Sequence, residues 1–273
     1  MGRARIPAIL AALRPALAGL LLAALVLCSG SAAEAAASVV NAAAALPAAA
    51  LEAASPPPAS PLERRLRQWP AWRLPAPLAR PGRQAPAWPA WFEGEWQVES
   101  MLLPDDSAET GPPWHARFRP DGHGGIVADR AFNALSVGRS VLGERLLSVQ
   151  DDPANPQRQL ARLAGDQLLE TSLIGQRGET PEPERFLNDE LSLQVLHGPS
   201  GEPRVSRIET LGRWRRLADG SIAGEQWQAR YASPSDGLTV AALATDHWRL
   251  RLVPVPPGSD RATGTADPAA GDR

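Results

Sequence analysis

From Phe92 onward, apolar side chains recur at every second position. Trp96, Val98, Ser100 and Leu102 alternate with Gln97, Glu99 and Met101, the period of a strand with one buried face. Residues 223–231 set Ala223, Trp227, Ala229 and Tyr231 against Gly224, Gln226, Gln228 and Arg230. Residues 247–253 set Trp248, Leu250 and Leu252 against Arg249 and Arg251. Further strands are predicted at 114–119, 125–128, 146–150, 159–163, 167–174 and 204–210, separated by turn formers such as Pro120-Asp121-Gly122 and Ala218-Asp219-Gly220. Strands this short and this regularly punctuated predict an antiparallel meander closed into a barrel or sandwich. Two segments depart from the alternation. Residues 130–143 place Phe132, Leu135, Val141 and Leu142 at helical spacing before a terminal glycine, a helix of about three turns. Residues 184–196 fit either a helix or a long strand.

The chain ahead of this domain has another pattern. Arg3, Arg5 and Arg14 precede an apolar run from Ala16 to Leu27, and small residues follow from Ser29 to Ala37, so residues 1–35 read as an export signal peptide. The apolar run falls short of the about 20 residues a spanning helix needs. Retention as an anchor and lipidation at Cys28 are the alternatives, the latter opposed by Leu27 where a small residue belongs. Residues 36–61, Ala-rich and then Pro-rich, predict a disordered linker. Residues 62–91 begin with two turns of helix and continue as a strap. It holds Trp69-Pro70-Ala71-Trp72 and Trp88-Pro89-Ala90-Trp91, and its prolines forbid a helix or a central strand. These tryptophans either fill grooves on the domain itself or form an aromatic docking peptide. The β domain spans 92–255, and 256–273 is a tail.

Composition narrows the class. The 273 residues are 44% hydrophobic and 21% charged with a formal net charge of -2, which excludes a polybasic nucleic-acid binder and a multi-span membrane protein. Cleavage after residue 35 removes three arginines, one glutamate and the only cysteine, taking the formal charge to -4. The exported chain then has no disulfide and no thiolate nucleophile, and nucleic acid is not an expected partner. None of the nucleophile-elbow, zinc-helix, P-loop or dinucleotide motifs is present. His115, His123, His197 and His247 lie far apart without metal-ligand spacing, and no metal site is predicted. Glu170, Glu179 and Glu209 lie in or beside apolar strands and are the candidates for an acid pair. Asp151-Asp152 with Asn155 reads as a weak calcium loop or, more simply, as a turn held by side-chain to backbone hydrogen bonds.

Phe92-Glu93-Gly94-Glu95-Trp96 resembles the G-x-W signature of lipocalin-like (calycin) barrels. The resemblance implies a single antiparallel barrel with one or two short helices, Trp96 packed across its closed end, and Arg249 or Arg251 of the last strand over the Trp96 ring. Such a barrel has room for one small ligand, or is solidly filled. A second likeness covers about 62–253. The segments 88–100, 127–133, Leu142-Gly143, 152–158 and 179–186 resemble an uncharacterised exported family of cyanobacteria and plastids. That likeness implies an oxygenic phototroph and a thylakoid-lumen, thylakoid-membrane or periplasmic address, without an activity. A more distant one, to calycin-type bilin lyases, is opposed by the export signal and by Gln97-Val98-Glu99 after Trp96.

The polar residues that packing does not require are Arg130, Asn133, Arg158, Glu179 and Arg185. An arginine in a partly dry barrel mouth suits a carboxylate. Alternatively, Arg130 pairs with Glu179 or Asp129 to lock the helix. The reading is an exported, non-enzymatic barrel that binds a small apolar or amphipathic ligand such as a pigment, tetrapyrrole or lipid, with no cofactor identified. An accessory protein of a photosynthetic (thylakoid) membrane complex, docking through the strap and Arg213-Trp214-Arg215-Arg216, is the second reading. A calycin-type enzyme acting on a tetrapyrrole is the third.

Overall fold

The computed structural model describes residues 59–82, 87–103 and 110–256. The expected signal peptide, nearly all of the linker and the tail from residue 257 lie outside these. Ten strands form one antiparallel sheet: β1 (Gly94–Leu103), β2 (Trp114–Pro120), β3 (Ile126–Ala128), β4 (Leu146–Asp152), β5 (Asn155–Leu163), β6 (Gln167–Glu182), β7 (Arg185–His197), β8 (Arg204–Arg216), β9 (Ile222–Tyr231) and β10 (Ala244–Pro254). Their order is β3-β2-β1-β10-β9-β8-β7-β6-β5-β4. Strands β4 to β10 are therefore a plain meander, and the first strand comes back to pair with the last. The ambiguous segment 184–196 is strand, because β6 and β8 offer it a ladder on each side.

A single side chain shows how far the sheet curls. The Trp88 ring lies 4.9 Å from Phe118 on β2 and 5.2 Å from Phe186 on β7. Five strand spacings separate those strands, about 24 Å in a flat sheet at ~4.8 Å per step. Only a strongly concave sheet lets one indole touch both, and Phe92, Trp96 and Trp214 complete the cluster on that face. Trp96 is buried there, with its Nε1 donating to the Phe92 carbonyl at 2.7 Å. Trp214 crosses the bare backbone of Gly212 and Gly224, and its Nε1 donates to Asn188 Oδ1 at 2.7 Å.

The edge strands, β3 and β4, leave a gap that a helix spans. It starts where Asp129 caps the Phe132 N–H at 3.3 Å and ends at Gly143, whose φ of +58° suits glycine. This helix (Arg130–Leu142) packs on both β2 and β4. Asn133, fully buried, clamps it to β2: Oδ1 accepts the Arg117 N–H at 2.6 Å and Nδ2 donates to the Arg117 carbonyl at 3.2 Å. Val137 joins the aromatic cluster while Ala134 packs on Leu146, Ala161 and Leu169. The result is a curled half-barrel with a helix over its opening.

The face assignment of β9 differs from the expected one. Gln226 and Gln228 point into the concavity, where Gln159, Thr171, Ser192, Gln194 and Thr210 are likewise no more than 3% exposed. Trp227, Ala229 and Tyr231 point outward and are buried under the strap. The outer face is covered by a short helix, α1 (Pro61–Leu66), capped by Ser60 and Glu63, and by Trp72 and Leu74 behind it; the helix over the gap is α2. Ser60 and Pro61, the last two residues of the expected linker, are the cap and first residue of α1. Burying an indole such as Trp72 removes roughly 200 Å² from water, about 5 kcal/mol at ~25 cal/mol/Å². That holds a proline-rich segment whose pairing with the domain is limited to isolated bridges such as Arg73 with Ala241 and Ala79 with Gln176. Trp72 and Trp88 are core residues, at 1% and 4% exposed, so neither serves a docking peptide.

Under the strap lies a buried polar cluster. Arg65 of α1 grips Glu209 with two bonds of 2.7 Å, and Tyr231 OH also bonds to Glu209. Beside them Asp189 is fully buried, and among the described residues neither of its carboxyl oxygens finds a side-chain donor. Burial, and then the neighbouring Glu209 carboxylate, push the Asp189 pKa well above the usual carboxylate range. A carboxyl raised in this way contributes most to stability below its unfolded value near ~4, and that contribution is lost as pH rises through the folded value. The melting temperature of the native protein is therefore expected to fall from pH 5 to pH 8 more steeply than that of Asp189→Asn. Parallel pH profiles in thermal melts would refute a neutral Asp189.

Candidate anion-binding cleft

The outer face divides at the edge of the strap. Beyond it, across β1, β10, β9, β8 and the start of β7, lies a cleft of about 780 Å³. Strand register builds its lining as two rows. One row runs Met101, Arg249, Glu225, Arg213; the next runs Glu99, Arg251, Ala223, Arg215, Arg185. Odd-numbered positions of these strands point outward because even-numbered Ser100, Leu250, Gly224 and Trp214 point into the concavity. Backbone at Gly224 and the apolar side chains of Met101, Leu217 and Ala223 contribute uncharged surface.

Five arginines and two glutamates line the cleft, a local excess of three positive charges in a chain whose formal charge is -2. Three of the arginines are engaged. Arg213 pairs with Glu225, Arg251 with Asp219 at 2.8 Å, and Arg185 with Glu182 at 2.6 Å. Arg215 and Arg249 have no carboxylate partner among the described residues. Arg215 and Arg185 are direct cross-strand partners on the same face, and like charges in that position repel. At one edge of the cleft, His247 stacks on Trp227 with ring centroids 4.6 Å apart. Burial lowers the His247 pKa, and the Glu225 carboxylate only partly offsets that, so at neutral pH it adds no charge.

The residues singled out in the sequence are dispersed. Arg185 lines the cleft, but Arg130, Asn133, Arg158 and Glu179 do not. Arg130 is buried at the α2 N-terminus and donates to the Pro156 carbonyl at 2.8 Å. It pairs with neither expected acid: Asp129 is held by Arg117 at 2.8 Å, and Glu179 by Arg177 at 2.7 Å. Arg158 bonds Asp152 and reaches Glu170 at 3.3 Å on the outer face of β5. Asp152 and Asn155 meanwhile accept N–H groups from Ala154 and Gln157, as the turn reading expects. Gly94 and Trp96 open β1 as anticipated, yet Arg249 and Arg251 do not cover the Trp96 ring. Strand alternation puts them on the opposite face, where they line the cleft with Arg185. Arg213 and Arg215 were singled out only as a contact surface, and Glu99 and Glu225 not at all. Their signal was an outward charged register on adjacent strands, readable only once the strand pairing is known.

Fold and site together define a curled antiparallel half-barrel with a basic cleft on its outer wall. The chain belongs to the family described as a domain of unknown function, DUF6816, which matches residues 82–246. The matched segment runs from the strap before Trp88 to the start of β10, without α1. No curated protein matches the chain, and no solved structure matches it.

Because Arg215 faces Arg185 across the ladder with no carboxylate of its own among the described residues, Arg215→Gln is expected to stabilise the ligand-free protein by about 0.2–1 kcal/mol at low salt. The gain vanishes at 0.5 M salt, where screening is strong. Urea denaturation at two ionic strengths measures this, and an Arg215→Gln protein less stable at low salt would contradict it.

Proposed function

We propose that the protein is a non-enzymatic carrier or sensor of a small amphipathic anion, held in the outer cleft. The observation that carries this reading is the pair Arg185 and Arg215, opposed across the strand ladder beside Arg249, which has no carboxylate partner among the described residues, in a cleft large enough for a small ligand. A carboxylate or phosphate placed between two guanidiniums relieves their repulsion and gains charge-assisted, bidentate hydrogen bonds. Met101, Leu217 and Ala223 supply the apolar wall for the ligand body. A carboxylate-bearing pigment, tetrapyrrole or lipid has this make-up. The export signal expected at residues 1–35 places the encounter in a periplasm or thylakoid lumen. The Gly94-x-Trp96 likeness to lipocalin-like barrels supports a binding role, although here the binding surface is the outer wall; the concave side is occupied by the aromatic cluster and by polar side chains with almost no exposed area.

A second reading, accessory protein to a photosynthetic membrane complex, is favoured by the exposure of Arg213, Arg215 and Arg216 at one end of β8.

Calorimetric titration of the full-length protein with dodecanoate distinguishes these readings. Binding that weakens at least tenfold in Arg215→Gln and in Arg249→Gln, but not in Arg162→Gln on β5, is expected. Absence of dodecanoate binding, or equal binding by all the variants, overturns the ligand reading and leaves the exposed arginines to a protein partner.

A further inference from the structure

A second cleft, of about 410 Å³, adjoins the first and shares Arg185 and Arg213 with it. Its other lining differs in chemistry: Leu66 and Arg67 of the α1 end, the half-buried Trp69, and Trp227, with Glu63 at its margin. Trp69 is fixed by an edge contact with buried Trp72, ring centroids 4.9 Å apart. The guanidinium of Arg213 stands between the two clefts. It lies 5.1 Å over the Trp227 ring, and Trp227 in turn stacks on His247 at an interplanar angle of 17°. His247 and the Arg213 guanidinium thus both lie against the Trp227 ring. Arg213 is 43% exposed, so its guanidinium is accessible to a planar ligand.

Resting on the anion reading of the first cleft, we infer that the two clefts form one bipartite site for a planar aromatic acid. The acid group sits between Arg185 and Arg215, and the ring lies on Arg213 and against Trp69. Guanidinium planes and indoles both stack on flat conjugated rings, whereas an aliphatic chain gains only its buried area there. The spacing agrees. Arg213 is two residues from Arg215 along β8, about 7 Å, and the register partner of Trp227 is Leu211, a further two residues on, about 13 Å from Arg215. The ligand therefore carries its charge about 7–13 Å from the centre of its ring, on a short tether.

The test compares two acids on the full-length protein by calorimetry: 4-(1-pyrenyl)butyrate, a tethered planar acid, and dodecanoate, an aliphatic one. The pyrene acid is expected to bind at least tenfold more tightly. Trp69→Leu should weaken it tenfold or more while leaving dodecanoate within twofold, and Arg215→Gln should weaken both. Trp69→Phe, which keeps a ring against Trp72, should give about a threefold loss for the pyrene acid alone, and it replaces the leucine variant if that protein does not fold. If both acids bind and lose affinity in Arg215→Gln, but neither responds to Trp69, the bipartite site is overturned and the single cleft stands. If neither acid binds the native protein, the cleft reading falls and this inference with it.

Discussion

The contact of the Trp88 indole with both Phe118 and Phe186 is the constraint from which the architecture follows. A ten-stranded antiparallel sheet left open would expose two large faces and two long edges. Drawing β2 and β7 onto one ring forces the curl, gives the sheet an inside, and brings the β3 and β4 edges close enough for one helix to span them. The bare backbone at Gly212 and Gly224 makes room for Trp214 in the same cluster. The curl therefore depends on glycines as much as on aromatics.

Curling settles one face of the sheet and leaves the other to be covered. The strap does this over only part of the outer wall, with Leu62, Trp72 and Leu74 packed on Leu187, Leu211 and Tyr231. It also brings the Arg65 guanidinium over the otherwise uncompensated Glu209 carboxylate. A buried pair of this kind costs desolvation that its Coulomb attraction only partly offsets, yet removing one partner strands the other. Helix α1 and the sheet are thereby bound to a single register. Where the strap stops, the outward rows of β1, β10, β9 and β8 stay open to solvent. Charged side chains need no buried partner there, unlike Glu209, which lies under the strap with Arg65.

The chain is formally negative, so its positive potential is concentrated at the arginine-lined cleft. Glu225 and Glu182 restrain Arg213 and Arg185, which preserves the geometry of the wall. Arg215 and Arg249 have no such partner among the described residues, which is why the proposed anion is set against them. The polarity of the concave side has the reverse effect: Gln159, Gln194, Gln226 and Gln228 are packed among neighbouring side chains with no more than 2% of their surface exposed.

Much of the secondary structure was legible in the alternation of residues. The period of two located β1, β9 and β10, the terminal glycine and apolar spacing located α2 nearly to the residue, and the prolines marked the strap as irregular. These are local properties, set by backbone sterics and by the period at which side chains meet one buried surface. Which surface that would be was not local. Trp227, Ala229 and Tyr231 of β9 face the strap and its glutamines face the concavity, because burial on both sides erases the inside-outside contrast that alternation encodes. The cleft was hidden for a related reason: Arg185, Arg215 and Arg251 come from three different strands, and only the ladder registers bring them into one row. Strand periodicity thus lies in the sequence, whereas the curl, the face each strand presents and the meeting of its arginines were decided by long-range packing around the Trp88 indole.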